Sequence, residues 1–293
     1  MKQLHGTMTV MITPFTANDE FDEKGFRSNI DWYIAEGIHG IICTGSTSEF
    51  ANLTLEELKR VIDVTTDHAA GRVPVMAGTA ANSTKATIEL TQYAQKAGAD
   101  AALIVSPFYG LPNQEELYEH FKSISQNVDL QIMLYNNPWF SGADMLPETV
   151  ARLADFDNVK YIKESTADMR RVHEIQSLCD DKIEVWCGWD DLALECFMMG
   201  CTGWVCPTAN FLPKMCAELF ELAEAKKFDE ARDMYFKLLP FLRYLESGQL
   251  LAKTKEAVNM VGQVGGEPRR PFLPLTSEQK SELKRMLQSI GAI

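Results

Sequence analysis

The 293-residue chain has no apolar run approaching the roughly 20 residues of a membrane span, so a helical membrane protein is excluded. It has no excess of positive charge: 28 basic residues face 41 acidic ones, for a net charge of −13. That weighs against a nucleic acid or an anionic membrane as the main partner. An anionic small substrate stays compatible, because one cation inside a pocket is enough to hold it. No CxxC or HExxH is present, and the five histidines (His5, His39, His68, His120 and His173) are scattered. The seven cysteines are an odd number. Cys196, Cys201 and Cys206 are evenly spaced but fall across a helix, a turn and a strand. They read as reduced core thiols, not as a metal centre or a disulfide frame. Neither a metal nor an organic cofactor is expected. Met1-Lys2-Gln3-Leu4-His5-Gly6-Thr7-Met8 lacks the apolar core and cleavage site of a leader, so a soluble cytoplasmic protein is expected.

What the chain does have is an alternation of short apolar runs and helical periods. Strands are expected over 7–13, 40–44, 73–78, 101–105, 130–135, 159–163, 183–187 and 203–206. Helices are expected over 23–36, 54–70, 84–97, 114–126, 147–154, 168–179, 190–199 and 213–225. Phe26, Ile30, Tyr33 and Ile34 share one helical face, Thr54 is a plausible N-cap, and Pro147 suits a first helical position. Strands that are apolar throughout are buried on both faces, as parallel strands are. Eight such units predict an α/β protein, a (β/α)₈ barrel. The rival is an open doubly wound sheet, but no GxGxxG follows the first strand. The barrel is expected over 1–226. Helical segments over 229–245, 248–261 and 277–289 form a C-terminal helical region, 227–293, packed on it, and 262–274 is a Gly/Pro-rich connector within it.

Barrel enzymes place their chemistry at the C-terminal ends of the strands. There the sixth strand, within Asn158-Val159-Lys160-Tyr161-Ile162-Lys163-Glu164-Ser165-Thr166, ends in a lysine. The fifth, within Gln131-Ile132-Met133-Leu134-Tyr135-Asn136-Asn137-Pro138, ends in a tyrosine. Lys163 shares strand parity with Tyr161. If it faces the barrel interior it is stripped of water, and its neutral amine becomes a nucleophile. A nearby Tyr135 hydroxyl would shuttle protons during carbinolamine formation and dehydration. Lysine plus tyrosine is the minimal set for a metal-free lyase acting on a 2-oxo acid. The loop Gly45-Ser46-Thr47-Ser48-Glu49 supplies hydroxyls and N–H groups for a carboxylate, although by itself it also reads as a capped turn. Asp190 and Asp191 are read as helix-cap and dipole partners, and Arg170 and Arg171 as a solvated or interface face with no catalytic role.

These motifs resemble the dihydrodipicolinate synthase / N-acetylneuraminate lyase superfamily. The likeness runs through Gly45–Glu49, Tyr135-Asn136-Asn137-Pro138 and Lys163-Glu164-Ser165, and on to Pro268-Arg269-Arg270-Pro271-Phe272-Leu273-Pro274-Leu275, so it covers nearly the whole chain. It implies that Lys163 forms a Schiff base with pyruvate or another 2-oxo acid, with Tyr135 as proton shuttle. It also implies that Thr47 and its neighbouring N–H groups bind the carboxylate. Ser46 would link Tyr135 to Tyr109 of a neighbouring subunit, in a homotetramer built as a dimer of dimers. Val205 matches a position whose backbone carbonyl lines the pocket.

Two departures stand out. Ser48 replaces the usual glycine, and Phe140 stands where true dihydrodipicolinate synthases carry the arginine that binds the carboxylate of aspartate semialdehyde. An aromatic ring cannot replace a bidentate carboxylate partner. A catabolic branch is therefore the first expectation: a pyrroline-4-hydroxy-2-carboxylate deaminase, or a 2-keto-3-deoxy sugar acid aldolase or dehydratase. The alternatives are 4-hydroxy-tetrahydrodipicolinate synthase, a non-catalytic 2-oxo acid binding protein, or a phosphosugar aldolase of another barrel family. Ser48, Asn137, Trp139, Phe140 and Trp189 are expected in the distal pocket.

Overall fold

The structure is a computed structural model describing residues 3–293; Met1 and Lys2, which open the stretch read as lacking a leader, lie outside the described residues. Eight strands alternate with helices: β1 Gly6–Val10, α1 Glu23–Ala35, β2 Gly40–Cys43, α2 Leu55–Ala69, β3 Val75–Gly78, α3 Thr84–Ala97, β4 Ala101–Val105, α4 Gln114–Ser125 and β5 Gln131–Asn136. Next come α5 Pro138–Ser141, α6 Pro147–Leu153, β6 Val159–Glu164, α7 Met169–Cys179, β7 Glu184–Cys187, α8 Ala193–Met198, β8 Gly203–Cys206 and α9 Pro213–Glu224. A C-terminal helical region follows: α10 Phe228–Glu246, α11 Leu250–Met260 and α12 Ser277–Ser289.

All strand pairs are parallel, and β8 returns to β1 through Gly6↔Gly203 to Thr9↔Cys206, which closes the barrel. The apolar strand composition explains the closure, because almost every strand residue is buried and closure leaves no edge. The helices start where the sequence caps them. Thr54 with Glu57, and Asn113 with Glu116, form reciprocal capping boxes.

Two boundaries differ from expectation by three residues. The first strand stops at Val10, not at residue 13, because the next groups bond elsewhere: Ile12 N–H donates to Asn210 Oδ1 at 3.0 Å, and the Thr13 hydroxyl donates to the Ser48 carbonyl at 2.8 Å. The helix expected over 190–199 begins as a 3₁₀ turn, Asp190–Leu192, and becomes α-helical only at Ala193.

All seven cysteines are buried and unpaired. The Cys187 thiol donates to the Trp189 carbonyl at 3.2 Å, and the Cys196 thiol to Met169 Sδ at 3.7 Å. Among the described residues, no group of three or more His, Cys, Asp or Glu side chains is placed to hold a metal ion, and no helix is long and apolar enough to cross a membrane.

Candidate active site

Register brings the two key side chains together. In the β5–β6 ladder Tyr135 stands opposite Lys163, both at the C-terminal end of the barrel. Both are nearly buried, Lys163 at 7% exposure and Tyr135 at 5%, and the lysine Nζ lies 4.0 Å from the centroid of the tyrosine ring. Burial opposes ionisation of the phenol. The Lys163 charge and hydrogen bonds from Asn137, Lys163 and Ser46 outweigh it, and the Tyr135 hydroxyl sits below its usual value. A hydroxyl so placed can both give and take a proton at the lysine nitrogen.

The neighbouring strand makes room for this amine. A Cβ added at Gly188, just past β7, would lie 2.1 Å from Ser165 Oγ and 2.7 Å from Lys163 Cγ. Only a glycine lets the chain pass that close to the lysine stem. Behind the lysine, Glu164 turns away from the barrel interior. Its carboxylate accepts from Asn136 Nδ2 at 3.1 Å and from Thr166 N–H at 2.7 Å, while burial pushes its pKa up. Asn136 also reaches Asp144, which pairs with Arg171 at 2.5 Å. The ends of β5 and β6 are thus tied on the face opposite the chemistry.

The β2 loop closes the floor. Ser46 and Thr47 line the cavity, and Ser46 hydrogen-bonds Tyr135. The loop is anchored by Glu49, whose carboxylate meets Lys255 Nζ at 2.5 Å with both side chains fully buried. Lys255 also donates to the Glu267 carbonyl at 2.9 Å, and Arg269 N–H donates to Glu49 Oε2 at 2.9 Å. Residues of the C-terminal region therefore hold this loop.

Above this floor lies a cavity of about 1000 Å³. Asn137, Trp139, Phe140, Ser141 and Trp189 line one side of it, and residues 245–246, 248–252 and 271–273 contribute as well. Trp139 and Trp189 approach each other with centroids 6.2 Å apart.

Several expected site residues lie elsewhere or act differently. Ser48 does not line the cavity. Its hydroxyl donates to the Met11 carbonyl at 2.5 Å and accepts from Gly45 N–H, so it stitches β1 to the loop. Asn137 does line it, but its amide is spent on the Tyr135 hydroxyl at 2.9 Å and its Oδ1 accepts from Phe140 N–H. Val205 is buried in β8, and Val10 and Pro207, not Val205, form the cavity wall. Tyr109 is 89% exposed on the loop after β4 and does not line the cavity within one chain.

Asp190 corrects the cap reading. No side-chain cap bond is made there. Its carboxylate accepts from Trp204 Nε1 at 2.9 Å and Thr208 Oγ1 at 3.2 Å at the cavity edge. Burial pushes its pKa up to about 7, against the lowering by Trp204 and Lys163. The sequence signal was the Trp and Thr at the end of the next strand, which only the folded barrel brings to Asp190.

The comparisons with known proteins agree with this geometry. The model of the Dihydrodipicolinate synthetase family matches residues 3–290. The 4-hydroxy-tetrahydrodipicolinate synthase of Thermodesulfovibrio yellowstonii is 40% identical over 290 residues, covering 98% of this chain and 99% of that protein. The synthase of Geotalea uraniireducens is 39% identical over 290 residues, with the same coverage. Among solved structures, the chloride-inhibited dihydrodipicolinate synthase from Acinetobacter baumannii complexed with pyruvate superposes with a TM-score of 0.96 at 34% identity, over 99% of this chain and 100% of that one.

Proposed function

Because this chain belongs to the dihydrodipicolinate synthetase family, a family of class I Schiff-base lyases, we propose that Lys163 is the amine that forms the Schiff base and that its partner is a small 2-oxo acid, pyruvate first. The observation that carries the residue assignment is the pairing of Tyr135 and Lys163 at the barrel mouth, with the lysine nitrogen 4.0 Å from the tyrosine ring. The lysine nitrogen adds to C2 of the 2-oxo acid. Tyr135 delivers the proton that lets the carbinolamine oxygen leave as water, and the imine forms. Loss of a C3 proton gives an enamine whose C3 joins a second carbonyl compound, or is released from one in reverse. Water then returns the free lysine. Ser46 and Thr47 take the carboxylate of the oxo acid.

For the second half of the substrate, the shared name of the relatives, 4-hydroxy-tetrahydrodipicolinate synthase, supports the condensation reading better than the catabolic one. One observation favours the other side: Phe140, not an arginine, faces the cavity, and Lys163 is the single cation among the described lining residues. A homo-oligomer in which Tyr109 of a neighbouring chain reaches Ser46 accounts for the exposure of Tyr109. The cytoplasm is the compartment that suits seven buried, unpaired thiols.

The test is borohydride trapping with pyruvate, read by intact mass and peptide mapping. A reduced adduct on Lys163, absent in Lys163→Ala, is expected. The same adduct in Lys163→Ala, or an adduct mapped to another lysine, would overturn the assignment.

A further inference from the structure

The distal half of the cavity has a composition that the Schiff-base chemistry does not require. Its walls are apolar: Trp139, Phe140 and Trp189 stand on one side, with Leu250, Leu251 and Leu273 contributed by the C-terminal region. Trp139 and Phe140 are 69% and 66% exposed, with their rings turned into open space at the cavity mouth instead of into the core. Trp139 makes one weak polar contact, from Nε1 to the Thr166 carbonyl at 3.4 Å.

The charges point the same way. Three carboxylates line the cavity: Glu49, already held by Lys255; Asp190, held by Trp204 and Thr208; and Glu246, which accepts from Asp191 N–H. Of the arginines on the flanking segments, Arg269 is committed to Glu57 and Arg171 to Asp144, while Arg270 is exposed and is not among the lining residues. A carboxylate entering the distal half would lose water and find no cation among the lining residues there, a combination that is unfavourable. A flat apolar fragment would exchange water for aromatic faces.

We propose that the carbonyl compound joined to, or released from, the Lys163 enamine is an uncharged one that presents apolar, preferentially aromatic, surface to Trp139, Phe140 and Trp189. This rests on the Schiff-base reading above and specifies its second substrate. In the joining direction, C3 of the enamine attacks the aldehyde carbon, the aldehyde oxygen takes a proton, and water cleaves the imine. Pyruvate plus aldehyde thus gives a 4-hydroxy-2-oxo acid, and Lys163 is regenerated.

The experiment uses the full chain and two readouts. Borohydride trapping with pyruvate alone reports the first half-reaction. Condensation of pyruvate with benzaldehyde, glyceraldehyde and aspartate semialdehyde, each followed by chromatography of the product, reports the second. The expected result is a pyruvate adduct and a kcat/KM for benzaldehyde at least about a hundredfold above that for aspartate semialdehyde, the size of discrimination that a mismatched polar group imposes. Trp139→Ala should raise the benzaldehyde KM by about tenfold, and Phe140→Arg should reverse the ranking of benzaldehyde and aspartate semialdehyde. Both positions are exposed, so folding is not at stake. A pyruvate adduct with aspartate semialdehyde or glyceraldehyde preferred overturns this inference and leaves the Schiff-base reading standing. Absence of any pyruvate adduct overturns both.

Discussion

The floor of the cavity and its rim are built from different material. On the floor, Lys163, Tyr135 and the Ser46 loop are polar and nearly buried, and each is held by a partner from another strand or from the C-terminal helices. On the rim, Trp139 and Phe140 are exposed aromatics on a four-residue helix, with few polar ties. The floor is over-determined, as groups that must meet within tenths of an ångström have to be. The rim is a surface on which contact area, more than hydrogen-bond geometry, decides what is held. On the function proposed above, reaction type belongs to the first region and substrate choice to the second.

Perturbing the floor should therefore cost the most. Tyr135→Phe keeps the ring beside Lys163 and removes the proton carrier, and a loss of about two to four orders of magnitude in kcat is expected, measured by steady-state kinetics. If kcat hardly moves, the tyrosine is packing and not chemistry. Lys255→Met leaves Glu49 charged and buried without its cation, and about 3–5 kcal/mol of stability should be lost in urea unfolding. The exposed pair Lys85–Glu89 provides the contrast, since Lys85→Met should leave the urea midpoint where it was. Gly188→Ala forces a methyl against Ser165 and the Lys163 stem, so adduct formation with pyruvate should slow by about a hundredfold, as a displacement near 1 Å can do.

The smallest effect lies at the border between floor and rim. Asp190 has its pKa raised from 3.8 to about 7 because burial disfavours the anion. The folded state therefore holds a proton that the unfolded chain has released, and stability should fall as pH rises from about 4 to about 7. Asp190→Asn removes this contribution. The difference in unfolding free energy between wild type and variant should shrink at acid pH and widen towards neutrality. A difference that does not vary with pH would mean the carboxyl is already ionised in the fold.

The barrel was legible in the sequence because its signals are local. Apolar runs of four to six residues, caps such as Thr54 and the shared parity of Tyr161 and Lys163 all act within one element or its ends. The meeting of Lys163 and Tyr135 followed from strand order alone. What escaped was decided by groups far apart in the chain. Asp190 looked like a helix cap because its partners Trp204 and Thr208 belong to the next strand and the turn after it. Ser48 looked like a pocket residue because the Met11 carbonyl that claims it lies on another strand end. Asn137 was placed in the distal pocket, although a hydroxyl two residues before it was within reach of its amide. The short helix Pro138–Ser141 had its own signals, Asn137 as N-cap and Pro138 at the first position, but four residues carry too little periodicity to be read.

The Glu49–Lys255 contact also has a consequence in time. Synthesis runs from the N-terminus, so all eight strands leave the ribosome before Lys255 exists. Until then the carboxylate beneath the catalytic loop has no cation. A growing or prematurely terminated chain, although it already contains Lys163 and Tyr135, is expected to be silent towards pyruvate trapping. On the proposed chemistry, the last helices would then act as a completion signal for the Lys163 amine.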